Sequence, residues 1–260
     1  MTAIALRMTS ADLLKLRKKR STVIWALVLA LLPVVIFYAV NVVEHASNSS
    51  HEAAGGIESF HIGIRLLGGV FFGPLVAILI GVEAGTTDSS DGVLRDLIVT
   101  GRSRLALFAT RVPAALALCW TVITASYALI LLCTFVFVSN LPTPSGSQVL
   151  EGWGFVLLAT GVLCAVAVGF SSLIDSKPGA IIALIAWQVI ASPLISSISS
   201  LGSGRDFVLT QAIAHFGPAG IKDGHGTEVL MSGGTATAVL ALWLVVFLGL
   251  GVWRTNTMDA

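Results

Sequence analysis

The chain has 260 residues, 55% of them hydrophobic and only 11% charged, with a mean hydropathy of +0.92. That balance excludes an ordinary soluble domain and is the composition of a membrane protein. The net charge of +1 singles out no partner, and no nucleic-acid partner is expected.

Apolar runs of 18 or more residues with almost no charge read as membrane-crossing helices, because about 20 residues rising 1.5 Å each cross the hydrocarbon core. Six such runs fall at 23–43, 62–82, 112–138, 152–174, 180–199 and 234–253. The expected fold is therefore an all-α membrane protein, one six-span domain over residues 1–260. The basic, then apolar N-terminus is too long in its apolar part for a secretory signal and reads as the first span.

Before that span, "SADLLKLRKKRSTVIW" reads either as an ordinary positively charged flank of the span or as an amphipathic interfacial helix at 9–22. Ser10 caps it, Leu13, Leu14 and Leu16 give an apolar edge, and five basic residues can meet lipid headgroups. Between the second and third spans, residues 84–104 form a polar connection. Glu83 stands at the end of the second span, where a carboxylate is costly unless it reaches water or a partner. Asp88, Ser89, Ser90 and Asp91 offer helix N-cap chemistry. Val93, Leu94, Leu97 and Ile98 then recur at helical spacing until Gly101 ends the turn, with Arg95 and Asp96 beside them. This predicts a helix too short to cross a membrane, one that lies at the surface or docks into a groove of another protein. The turn "DSKPG" at Asp175 to Gly179 sits at the same end.

Orientation follows from the basic residues. Twelve of the fifteen Lys and Arg, from Arg7 through Arg95, Arg102, Arg104 and Lys177 to Arg254, fall on the side of the termini, and only Arg65, Arg205 and Lys222 on the other. The positive-inside rule then puts both termini in the cytoplasm of a multi-pass protein of the plasma (inner) membrane. By this reading no ionised residue lies near mid-membrane, which speaks against an ion or proton relay.

Catalytic and metal motifs are missing. There is no phosphate-cradling G-x-x-x-x-G-K-[ST], no H-E-x-x-H, and no His inside a span to serve an intramembrane serine. Cys119, Cys133 and Cys164 lie in spans as small buried residues without ligand spacing. His45, His51, His61, His215 and His225 all fall on the outer side, without the spacing of a metal site. No catalytic residue, metal or cofactor is expected in this chain. Gly68, Gly69, Gly73, Thr121, Thr124, Ser126, Gly161, Gly169, Ser192 and Ser196 permit close helix packing or line a path.

The stretch "DGVLRDLIVTGRSRLALFATR", Asp91 to Arg111, resembles the loop between the second and third spans of ABC transporter permeases of the type-2 exporter class, most of all actinobacterial ones. The matching positions are Gly92, Val93, Leu94 and Arg95, then Ser103 and Arg104. Val93 stands where Thr is common, and Glu83 lies further from Gly92 than the family's acidic residue does. The resemblance implies that residues 84–104 hold a cytoplasmic coupling helix, that 9–22 is an interfacial helix, and that 200–233, with "RDFVLTQAIAHFGPAG" from Arg205, forms short re-entrant outer helices before the last span. It also implies a dimer of permease subunits above two copies of a cytoplasmic ABC ATPase, which carries the ATP and Mg. The residues expected to contact that ATPase are Glu83, Asp91, Gly92, Val93, Leu94, Arg95, Asp96, Leu97, Arg102, Arg104 and Lys177. The cargo expected is an amphiphilic, multidrug-type compound, a peptide or a lipid-like molecule. The alternative is a non-transporting sensor or assembly subunit that docks a cytoplasmic protein through the same loop.

Overall fold

The computed structural model describes residues 2–47, 54–69, 71–90, 103–174, 176–218 and 231–257. Among these the chain is helical, without strands, and six passes are long and apolar enough to cross a membrane. Helix α1 (Thr2–Lys18) precedes α2 (Arg20–Ser47). It begins seven residues earlier than the sequence pattern predicted, so Ser10 is no cap: its hydroxyl donates back to the Arg7 carbonyl at 2.9 Å within the helix. The bend between α1 and α2 falls at Lys19.

The second pass is not one helix. It consists of α3 (Gly56–Gly68) and α4 (Phe72–Ser90). A Cβ at Gly73 would lie 1.6 Å from the Leu67 carbonyl oxygen, so the pass kinks at an approach that only glycine allows. Pro74 follows in the first turn of α4, where its missing N–H costs nothing. At its other end α4 does not stop at Glu83 but continues through Ser90. Asp88, Ser89 and Ser90 thus belong to the end of this helix rather than to the cap of the next.

The remaining passes start with clear caps. Ser103 accepts from the Ala106 amide at 3.3 Å to open α5 (Arg104–Val136). Ser145 and Gln148 form a reciprocal capping box for α6 (Gly146–Ser171). Ser176 accepts from the Gly179 amide at 3.3 Å to open α7 (Lys177–Ala186). From α7 the chain runs through a π turn at Trp187–Ala191 into α8 (Ser192–Ser197). The extra residue in that turn keeps Gln188 at 1% exposure and Ser192 and Ser196 buried on the same side. Two 3₁₀ turns, Ser199–Phe207, meet at Gly202 (φ +51°) and lead to α9 (Leu209–His215); α10 (Gly233–Thr257) closes the fold.

Helices α4 and α6 form the centre. They cross where Gly81 faces the Cys164 carbonyl and Gly85 faces Ser171, glycines that let two backbones touch. Of α6's apolar window 72% is buried, against 22% for α2 and α10. The last two are peripheral, with exposed Ile24, Leu32 and Val245. Those exposed faces suit lipid, which rewards apolar surface that water would not.

Candidate functional site

The richest polar chemistry lies at the end of the bundle that carries both termini. Several contacts define this end. Arg104, first residue of α5, donates to the Asn256 carbonyl near the end of α10 at 3.1 Å. Thr110 on α5 donates to Asp12 of α1 at 2.8 Å, and Asp12 also pairs with Lys15 at 3.4 Å.

Glu83 is the hub of the site. Its carboxylate is 1% exposed, yet four side chains from three other places in the chain or one turn along α4 surround it. Thr22, in the first turn of α2, donates to Oε2 at 2.6 Å. The Lys177 ammonium, at the start of α7, pairs with the same oxygen. Lys19, at the α1–α2 bend, approaches Oε1 to 3.5 Å. Thr87, one turn further along α4, lies 3.2 Å from Oε1 and shares its hydrogen with the Glu83 carbonyl. A carboxylate so deeply placed is tolerable only because charge-assisted hydrogen bonds replace its water. Both lysines stay 36% exposed with a path to solvent.

Beside the hub, a cavity of about 20 Å³ is lined by Asp12, Lys15, Leu16, Ala84, Thr87 and Arg111, room for about one water. The buried Arg111 reaches across it to the Gly85 carbonyl at 3.4 Å. The α1–α2 bend, the end of α4, the start of α5 and the start of α7 are therefore cross-linked by side chains at one level.

Of the residues predicted to meet an ATPase, Glu83, Arg104 and Lys177 are at this end, and two of them touch each other. Glu83 spends its oxygens inside the bundle, whereas Arg104 and Lys177 keep exposed surface. Asp91, Gly92, Val93, Leu94, Arg95, Asp96, Leu97 and Arg102 lie outside the described residues, as do His51 and His225. The connection that holds the first eight leaves from Ser90 and returns at Ser103, both at the Glu83 end. Among the described residues no three His, Cys, Asp or Glu come together as a metal site. Lys19 and Thr22 escaped the sequence reading because nothing local marks them: their partner is more than 60 residues away.

No protein-family model and no curated protein matches this chain. The site therefore has to be interpreted from its own geometry and from the resemblance of the 91–111 stretch.

Arg65, expected at the outer end of the second span, lies nine residues into α3. The start of α3 is fixed at the end opposite the termini, where the Gly55 amide donates to the Phe137 carbonyl and that of Ile57 to Pro142, each at 2.9 Å. Nine residues of helix then carry Arg65 about 14 Å inward.

Proposed function

We propose that this chain is the membrane-spanning permease subunit of an ATP-driven exporter of the type-2 ABC class, with ATP hydrolysis left to a separate cytoplasmic ATPase. The observation that carries the reading is the Glu83 hub. A protein pushing on the connection between Ser90 and Ser103 would act on the end of α4, and Glu83 joins that end to the α1–α2 bend through Lys19 and Thr22 and to α7 through Lys177. A push at one loop thus reaches three passes as a unit, as alternating access requires of a two-state element. The resemblance of "DGVLRDLIVTGRSRLALFATR" to exporter coupling loops supports the same assignment.

In this reading the residues from Gly92 to Thr100 are the coupling helix, two ATPase copies dock beneath two permease subunits, and ATP with Mg binds on the ATPase alone. Helix α1 lies along the cytoplasmic face of the bundle. Residues 200–233 are the re-entrant outer segment, a role that suits the hydrogen bond in their described part from the Trp243 indole, ten residues into α10, to the Phe207 carbonyl at 3.0 Å. Within it the helix Leu209–His215 is the packed part, with Leu209, Ala212 and Ile213 buried, while the 3₁₀ turns before it keep Leu201 and Phe207 exposed. The cargo is an amphiphilic drug, a peptide or a lipid-like molecule.

Docking is tested by Leu94→Ala with Leu97→Ala. Truncating two leucines packed in a groove removes about 2–5 kcal/mol each where the site cannot collapse. The double variant is expected to insert normally and to lose most of the ATPase that copurifies with the wild-type chain; retained ATPase and retained transport would sink the exporter reading.

Orientation has its own test. With the native cysteines replaced, a membrane-impermeant thiol reagent applied outside is expected to label Ser50→Cys and Lys222→Cys and to leave Ser90→Cys untouched. Strong outside labelling at position 90 would invert the topology.

A further inference from the structure

Helix α3 has two unlike faces. Phe60, Ile64 and Leu67 are fully buried against the bundle. On the other side Glu58, His61 and Arg65 follow at helical spacing, Glu58 exposed and the other two half-buried. Among the described residues neither Glu58 nor Arg65 forms an ion pair, and the Arg65 Nε is sealed from solvent without a hydrogen-bond partner. Two rulers give the depth. Arg65 is nine residues from the start of α3, and three residues beyond it Gly68 meets Phe155, itself nine residues into α6. Both place the Arg65 Cα about 9–14 Å along the helices from the end opposite the termini. Directly after it the pass breaks at Gly69 and restarts at Phe72.

A guanidinium on a membrane pass cannot face hydrocarbon cheaply. Intramembrane cations line aqueous cavities or meet an anion, and interrupted membrane helices mark the places where ligands are held. We propose that the Glu58–His61–Arg65 face of α3 lines an aqueous outer cavity in which Arg65 binds the anionic head of an amphiphile, a carboxylate or a phosphate. The planar fork of Arg65 suits either group, and Phe71, six residues on in the chain and exposed, offers apolar surface for an alkyl part. Glu58, two turns outward at the mouth, repels the same head once it leaves Arg65 and so favours release over retention. This deepens the exporter reading by naming the charge of the cargo, and rests on it only in treating the ligand as cargo.

The test uses the purified full chain in phosphatidylcholine nanodiscs and three fluorescent probes: dansyl-undecanoate, a dansyl-labelled alkyl phosphate and the uncharged dansyl-undecanol. Saturable binding is expected for one or both anions, at least about tenfold tighter than for the alcohol, the size of a lost charge-assisted contact. The two anionic arms separate the carboxylate from the phosphate source. Arg65→Gln is expected to bring anion and alcohol to parity, and Arg65→Lys to keep most of the preference. Equal binding of charged and neutral probes by the wild type, or an unchanged preference in Arg65→Gln, overturns the site. Should Arg65→Gln fail to fold, His61→Cys decides with Arg65 intact. A water-borne thiol reagent is expected to label Cys at 61 above the wild-type blank, and the anionic probe to slow that labelling; no labelling, or labelling indifferent to the probe, overturns the proposal. A shift of Arg65→Gln from dimer to monomer with anion binding unchanged would assign Arg65 to a second copy of the chain and also overturn it. An ATPase that fails to copurify while anion-selective binding persists sinks the exporter reading alone; copurification without charge selectivity sinks this inference alone.

Discussion

Gly81→Ala is expected to destabilise the bundle although it adds a single methyl group. The new Cβ would stand 2.6 Å from the Cys164 carbonyl oxygen and 2.7 Å from the Ala167 methyl, both on α6. A carbonyl in a helix cannot swing aside as a side-chain end can, so the two central passes must part. Overpacking of this kind costs about 1–3 kcal/mol, set against a gain of up to about 1 kcal/mol in helix propensity. One turn on, Gly85→Ala meets the Val168 carbonyl at 2.7 Å and the Ser171 hydroxyl, and the double variant is expected to give no monodisperse protein in detergent. Gly249→Ala is the control: nothing lies within 4 Å of its added methyl, so its thermal unfolding should match or exceed the wild type. If Gly81→Ala unfolds at the same temperature as Gly249→Ala, α4 and α6 do not approach as closely as described.

The six passes were legible because hydropathy alone marks them, and each predicted run lies largely within an observed helical pass. The interruption of the second pass was not, since Gly-Gly-Val-Phe-Phe-Gly-Pro stays apolar on average while its glycines and proline break the helix; the signal was composition within the run, not its mean. The π turn at Trp187–Ala191 carries no sequence mark beyond Gln188, whose burial in the fifth pass comes from tertiary packing. At the terminal end the basic residues were legible as a set but not as pairs. Glu83 was recognised as costly, and its burial among Lys19, Thr22 and Lys177 shows how the cost is met; spacings of 61 and 94 residues leave no local periodicity to read. The stretch 91–102 lies outside the described residues, so its assignment stands on the sequence.

Glu83→Gln separates a structural role of the hub from a transmitting one. The amide keeps the shape and can still accept from Thr22, but it removes the charge shared by Lys19 and Lys177. Both lysines are 36% exposed and can turn toward water, so the loss falls short of that for a fully buried pair, about 1–3 kcal/mol. Lys177→Gln alone leaves Lys19 and Thr22 in place and should cost less. Because the two changes remove one contact, their effects should not add: a double-mutant cycle is expected to give a coupling of about 0.5–3 kcal/mol. That cycle tests the geometry. Function is read separately, as cargo-stimulated ATP hydrolysis by the reconstituted complex. With the α4 end uncoupled from α7, the coupling loop can still dock, so ATPase copurification should persist in Glu83→Gln while stimulation by cargo falls by about tenfold, the rate equivalent of about 1.4 kcal/mol. The isolated ATPase, which never meets Glu83, should hydrolyse ATP at its usual rate. Loss of copurification instead would mean that the hub only holds the docking surface in shape, and full stimulation in a stably folded Glu83→Gln complex would show that movement passes from loop to membrane by some path other than α4.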